Sequence, residues 1–274
     1  TTAMVAVGLT PPTSGSVRVD GVDMVTHDVA QRKEIRRRVQ MIFQDPYDSL
    51  DPRFTVERLV REPLVVHKVA GDHGVLVREA LTRVGLVPVE QFLHRHPHQL
   101  SGGQRQRVAI AAALVLGPSL LVADEPVSML DTSVRAGVLE LLAALRTDGM
   151  GILMITHDLS TAARYADRIC VMYLGRVVEQ GPARELVSAP SHPYTRALVA
   201  AVPRSDGRPR DMSVMPSGEA PDASAIPAGC RFHPRCPLVA SGEAERLGII
   251  DKCRGVDPVL HEVRPGITAA CHAV

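Results

Sequence analysis

The chain carries the run Leu100-Ser101-Gly102-Gly103-Gln104-Arg105-Gln106-Arg107, and 20 residues beyond its start it carries Leu120-Leu121-Val122-Ala123-Asp124-Glu125-Pro126. The first run predicts a helix opened by a Ser-Gly-Gly turn. Such a turn leaves backbone N–H groups and one hydroxyl pointing at a single spot, which suits a phosphate. The second run predicts an apolar strand ending in two carboxylates, one suited to Mg²⁺ and the other to orienting a water. Together they call for an α/β fold whose chemistry gathers at strand ends.

The rest of the chain agrees with that architecture. Ser16–Asp20 alternates like a strand and Gly21-Val22-Asp23 turns it, while 28–38 reads as a polar helix. Val39-Gln40-Met41-Ile42-Phe43 is a short apolar strand that delivers Gln44 to a loop. From 45 to 97 the pattern is helical with Pro and Gly breaks, as in 55–62 and 75–84, and predicts a helical subdomain inserted between core strands. The core resumes with the Ser101 helix, strand 120–123, helix 132–146, strand 151–155, helix 159–166 and strand 168–173. Strands that are continuous apolar runs alternating with helices predict a parallel sheet covered on both faces. Ligand chemistry then belongs at the carboxyl ends of the strands, where Gln44, Asp124, Glu125 and His157 all stand.

Composition narrows the field by exclusion. With 31 basic against 30 acidic residues the net charge is +1, which gives no global attraction to nucleic acid or anionic lipid. No Trp, four Tyr and four Phe leave little for a base-stacking platform. The longest uncharged stretch, 108–123, is broken by Gly117-Pro118-Ser119 and reads as helix, turn and buried strand instead of a membrane span. The basic run 32–38 is read as a solvated helix face. His94, His96 and His98 alternate, but Pro97 argues against a regular strand that would aim all three at one metal.

The Leu-Ser-Gly-Gly-Gln run followed by the Asp-Glu strand end resembles the nucleotide-binding subunit of ABC transporters. That resemblance implies a P-loop NTPase-type core and ATP with Mg²⁺ as ligands. It implies Asp124 as the Mg²⁺ ligand, directly or through water, and Glu125 as the residue that polarises the attacking water. Gln44, in Phe43-Gln44-Asp45-Pro46-Tyr47, resembles the family's Q-loop glutamine, which contacts Mg²⁺ or the lytic water. His157, in Ile155-Thr156-His157-Asp158, resembles the switch histidine at the γ-phosphate. Ser101, Gly102 and Gly103 would bind the γ-phosphate of a nucleotide held by the opposite subunit, their glycines letting backbone approach closely. Gln104 would support that turn and Asp131 would sit at the dimer interface. Three positions depart from the common pattern, Ala112, Val127 and Met129, all apolar, and they leave the acidic and phosphate-facing groups intact. The family also carries G-x-x-x-x-G-K-[ST] upstream, and no such run occurs here. Thr1–Leu9 is read as the helix after that loop, and the chain as lacking a first segment of roughly 40 residues, so that alone it would not hold ATP tightly.

Beyond about 180 the texture changes. Pro, Gly, Ser and Asp are dense from 188 to 237, and four of the five cysteines lie in the last 45 residues. A boundary is expected near Ala189, giving an ATPase domain at 1–188, with the helical subdomain at about 45–117, and an extension at 189–274. Cys230, Cys236, Cys253 and Cys271 are separated by five, sixteen and seventeen intervening residues. On spacing alone they could bind an iron–sulfur cluster or zinc, form two disulfides, or stay reduced. The intervals do not match the C-x-x-C pairing of structural zinc, and disulfides are disfavoured in reducing cytosol. Cys170, inside an apolar strand, is read as a buried filler.

His192-Pro193-Tyr194-Thr195-Arg196-Ala197-Leu198 and Cys230-Arg231-Phe232-His233-Pro234-Arg235-Cys236-Pro237 resemble the C-terminal extension of ATPases from oligopeptide, dipeptide and nickel importers. Some members of that group carry a 4Fe–4S cluster there. The implied function is an ATP-hydrolysing subunit powering import of peptides or a related small solute. It would lie on the cytoplasmic face of the membrane in a head-to-tail dimer with a sister ATPase subunit. Its other partners would be transmembrane permease subunits and, indirectly, an extracytoplasmic solute-binding protein. The rival readings are a non-catalytic subunit that lends its signature face to a partner, and a soluble ATPase acting on nucleic acid. The second lacks the coiled-coil insertion or basic surface it needs.

Overall fold

The computed structural model describes residues 1–24, 28–45, 49–202, 212–219, 221–222 and 224–274. The chain divides into two compact units, Thr1–His157 and Asp158–Val274.

In the first unit, α1 (Thr2–Ala6) is followed by a small antiparallel pair, β1 (Arg18–Val19) and β2 (Val22–Asp23). The polar helix α2 (Val29–Arg38) starts where Asp28 accepts the N–H groups of Ala30 and Gln31 at 2.8 and 3.2 Å. It runs directly into β3 (Val39–Ile42). Strands β3, β4 (Leu120–Asp124) and β5 (Gly151–Ile155) form a parallel sheet in that order, with Ile42 level with Ala123 and Asp124 level with Ile155. Leu121, Val122 and Ala123 are wholly buried, as the central strand of a covered sheet should be. Ala3, Val7, Met24, Ile35 and Val39 pack with Val122 into one cluster.

The inserted helices are α3 (Val56–Val66), α4 (His73–Arg83) and the short α5 (Glu90–Leu93). Thr55 and Asp72 cap the first two by accepting backbone N–H groups of the opening turn. Both helices pack on α6 (Gly102–Leu114), and their Leu59, Val60, Leu64, Val77 and Leu81 are buried. Helix α7 (Thr132–Thr147) follows β4 and packs on α6 and on β5. The three alternating histidines form no stripe: Pro97 opens a 3₁₀ turn, and only the rings of His96 and His98 stack, with centroids 5.5 Å apart.

The second unit begins with α8 (Leu159–Tyr165) and then departs from the expected parallel order. Strands β6 (Arg168–Tyr173) and β7 (Arg176–Pro182) are antiparallel neighbours. Leu174 and Gly175, at φ 45° and 73°, make the two-residue turn with positive φ at both positions that matches the twist of a hairpin. The strand also alternates exposed and buried along its length, which is a half-solvated pattern. Cys170 falls on the exposed side, its thiol donating to Gln180 Oε1 across the hairpin at 3.4 Å, so it is not a buried filler. After α9 (Ala183–Ser188) and α10 (Pro193–Ala201) come three short helices, α11 (Pro237–Ala240), α12 (Glu243–Arg246) and α13 (Ile250–Gly255). The last hairpin, β8 (His261–Arg264) and β9 (Ile267–Ala269), joins the sheet in the order β6-β7-β9-β8. The core beneath gathers Ile169, Val171, Tyr173, Leu186 and Phe232.

Candidate functional site

Three loops leave the carboxyl ends of β3, β4 and β5, and they bring Gln44, Glu125 and His157 together. Gln44 Nε2 donates to Glu125 Oε2 at 3.2 Å, and His157 Nδ1 lies 3.2 Å from the same oxygen. Glu125 Oε1 has no partner among the described residues, so one face of the carboxylate is open to a water. The imidazole is 73% exposed. A contact that open contributes little to stability. The arrangement is a carboxylate held from two sides beside a solvent-facing imidazole. Pro46 and Tyr47 of the Gln44 string lie outside the described residues.

Backbone geometry holds the glutamate in place. Glu125 has φ 45°, a left-handed conformation uncommon for a residue with a side chain. Its N–H donates to Ile155 O at 2.9 Å, and its carbonyl accepts from Ser128 N–H and Oγ at 3.2 and 3.1 Å. These bonds bridge two strand ends and over-determine the strained residue. The carboxylate of Asp124, the last residue of β4, makes no hydrogen bond or ion pair among the described residues.

The Ser-Gly-Gly turn is a capping box. Ser101 Oγ accepts from Gln104 N–H at 3.3 Å, and Gln104 Oε1 accepts from Ser101 N–H at 3.0 Å. Gln104 is thus occupied with the turn, while exposed Ser101 keeps its hydroxyl proton to give. Asp131 stands exposed at the N-cap of α7 without accepting a capping bond, so its carboxylate is free for an external partner. Gly103 has a reason that its own neighbourhood in the sequence does not disclose: a Cβ there would overlap Val134 Cγ1 on the facing helix α7. Gly103→Ala is expected to destabilise by about 1–3 kcal/mol through overpacking. Urea denaturation midpoints check this, and Gly103→Ala with Val134→Ala should recover most of the loss.

In the second unit, Cys230, Cys236, Cys253 and Cys271 line one pocket together with His192 and Phe232. All four thiols are free. Two segments are clamped there: Cys230 N–H donates to Cys253 O at 2.9 Å. Gly229, at φ 67°, allows the approach, since a Cβ would come within 2.6 Å of Cys253 O. Burial pushes the Cys230 thiol up to about 11 and Cys271 up to about 12, and raises Cys236 and Cys253 as well. Without a cation the thiols stay protonated at neutral pH. Among the described residues no three His, Cys, Asp or Glu side chains converge as a ligand set for one metal ion.

Glu179, wholly buried in β7, accepts the N–H groups of Ser191 and His192 at 2.7 and 2.9 Å. His192 Nδ1 in turn accepts Tyr194 N–H at 3.0 Å and caps α10. Burial lowers the His192 pKa to about 4, so the ring is neutral. The sequence reading missed Glu179, whose only advance signal was an acidic residue in an apolar strand, and it quoted His192 only as the head of the extension's first run.

A parallel sheet with a carboxylate pair at its central strand end, flanked by a Ser-Gly-Gly helix start, has the makings of a nucleotide hydrolase. Comparison with known proteins carries this further. The family described as ABC transporter matches residues 1–128, and the oligopeptide/dipeptide transporter C-terminal region matches 178–242. A dimeric ATP-binding cassette in a post-hydrolysis state with ADP and Pi is 31% identical, with a TM-score of 0.59 over 67% of this chain and 79% of that one. A cassette that is part of an ABC transporter complex from Clostridium perfringens gives 30% and 0.60 over 68% and 72%. The protein is an ABC-type ATPase. Among curated relatives, a probable peptide ABC transporter ATP-binding protein of Sinorhizobium fredii is 42% identical over 99% of this chain and 74% of its own. The oligopeptide transport ATP-binding protein AppF of Bacillus subtilis is 40% identical over 95% and 78%. The chain belongs to the ATP-binding subunits of peptide ABC transporters.

Proposed function

We propose that this protein hydrolyses ATP to power import of peptides through a membrane permease. The observation that carries the reading is the meeting of Gln44 and His157 on one oxygen of Glu125 at the ends of parallel strands. Glu125 Oε1 orients the lytic water and polarises it, and His157 meets the γ-phosphate on the opposite side. Gln44 holds the glutamate from the β3 side and moves with the permease. Asp124, with Gln44, would hold Mg²⁺, which would supply neutralisation of the phosphate charge. Ser101, Gly102 and Gly103 bind the γ-phosphate of a nucleotide seated on a sister subunit, and Asp131 faces that dimer interface. The ATPase domain covers 1–188 and the extension 189–274.

No helix of the described residues is long and apolar enough to cross a membrane. A peripheral place on the cytoplasmic side, against permease subunits and indirectly served by an extracytoplasmic solute-binding protein, fits the family. That all four cysteines line one pocket supports the reading of a 4Fe–4S cluster there. Such a group supplies a one-electron centre and a cross-link between the segments bearing Cys230 and Cys253.

The test is reconstitution in vesicles of the protein as its own cell makes it, with sister subunit, permease and binding protein. Peptide uptake that requires ATP and is matched by phosphate release supports the reading. Hydrolysis indifferent to peptide and permease overturns it.

A further inference from the structure

Helices α6 and α7 lock into each other through an exchange at two glycines. On α6, Gly103 receives the Val134 side chain of α7, and a Cβ there would overlap Val134 Cγ1. On α7, Gly137 receives the Arg107 guanidinium of α6, and a Cβ there would stand 3.0 Å from Nη2. Gly103 and Arg107 are four residues apart on one helix, and Val134 and Gly137 three apart on the other, so each pair shares a face. Each helix holds a side chain of its neighbour, and neither can slide or roll without disturbing both fits.

Gly137 needs such an explanation. It lies inside α7, where glycine is less favourable than alanine, and its φ is not positive. What it provides is room for the guanidinium. The other arm of that group reaches the inserted helices. Arg107 Nη1 donates to the carbonyl of Val84, the residue that caps the end of α4, where backbone oxygens lack helical partners. Gly85 follows at φ 74°, and a Cβ there would stand 3.1 Å from the same nitrogen. Arg107 therefore fills a slot between two glycines and pins the end of α4, α6 and α7 to one another.

Two parts of the site depend on that pin. Helix α6 opens with the Ser101-Gly102-Gly103 turn, and α7 opens at Asp131, on the segment that leaves Glu125. We propose that Arg107 is a positioning residue: it fixes the register of α6 on α7 and so sets the Ser101–Gly103 face relative to the Glu125 loop of the same chain. This rests on the reading of Ser101–Gly103 as a phosphate-binding face. That contact forms when a pair of subunits closes over nucleotide, so a loosened register should lower kcat and spare the capture of ATP.

The experiment uses the transporter as its own cell assembles it, in vesicles. ATP turnover and melting temperature are measured for wild type, Arg107→Ala, Gly137→Ala, Gly137→Ala with Arg107→Lys, and Ser101→Ala. The methyl of Gly137→Ala displaces the guanidinium, while alanine suits a helix better than glycine, so the melting temperature should hold. The expected result for Gly137→Ala and Arg107→Ala is a kcat lower by about tenfold, a coupling of ordinary size, at an unchanged KM for ATP. Lysine reaches the Val84 carbonyl with one nitrogen and has no second arm to crowd the methyl, so the double variant should return toward wild type. Unchanged kcat in Gly137→Ala, beside a fall in Ser101→Ala, would overturn the proposal and leave the phosphate-face reading standing. Unchanged kcat in Ser101→Ala sinks that reading itself, and the role of Arg107 with it.

Discussion

In the transporter as its own cell assembles it, Glu125→Gln is expected to retain ATP and lose turnover by about 10²–10⁴-fold, the usual worth of a positioned general base. The amide has the same shape, and the position already accommodates φ 45° with three backbone and hydroxyl bonds that do not involve the side-chain charge. Folding should therefore be unaffected. What changes is the free oxygen: an amide cannot polarise a water, and Gln44 Nε2 loses half of a charge-assisted bond. Phosphate release in a single turnover, beside nucleotide retention on a filter, separates chemistry from binding. A rate within tenfold of wild type would mean that the base is another group. His157→Ala supplies the contrast, since it would remove the proposed γ-phosphate contact and leave the carboxylate.

Phe232→Ala is expected to cost the second unit about 3–5 kcal/mol. Phe232 is 1% exposed and meets Tyr173 edge-on at 5.1 Å and Tyr194 at 5.3 Å. It ties β6, the start of α10 and the cysteine loop into one core. Aromatic pairs of this kind add about 0.5–1.5 kcal/mol beyond area burial. Denaturant melts with fluorescence from the tyrosines would show the loss, and the cysteine pocket should open at lower denaturant than in wild type. Phe232→Leu keeps most of the volume and should cost less. A loss under about 1 kcal/mol for the alanine variant would show that the cavity collapses without harm.

The strands and helices of the first unit were legible because their patterns are local. Asp28, Thr55, Asp72 and Ser101 announce helix starts, and 39–42, 120–124 and 151–155 are apolar runs of strand length. Gln44, Glu125 and His157 were legible as neighbours because a parallel sheet delivers all its carboxyl ends to one side. Their shared oxygen was not legible, since rotamers and the strained φ of Glu125 come from packing. In the second unit the parallel expectation failed at 168–173, where the Leu174-Gly175 turn outweighed the βα alternation. The pairing of β9 with β7 joins residues some ninety apart and leaves no mark in either segment. Gly103 was read as a phosphate contact, and its clash partner Val134 lies on another helix.

That long-range pairing bears on how the protein can be cut. Strand β7 has β6 on one side and β9 on the other. Truncating at the start of the last hairpin would not trim an appendage. It would bare the hydrogen-bonding edge of an interior strand at Glu179-Gln180, and an open edge invites pairing with another chain. Shortened forms made to spare the nucleotide machinery the burden of its cysteines should therefore self-associate, and their loss of solubility would say nothing about the cysteines.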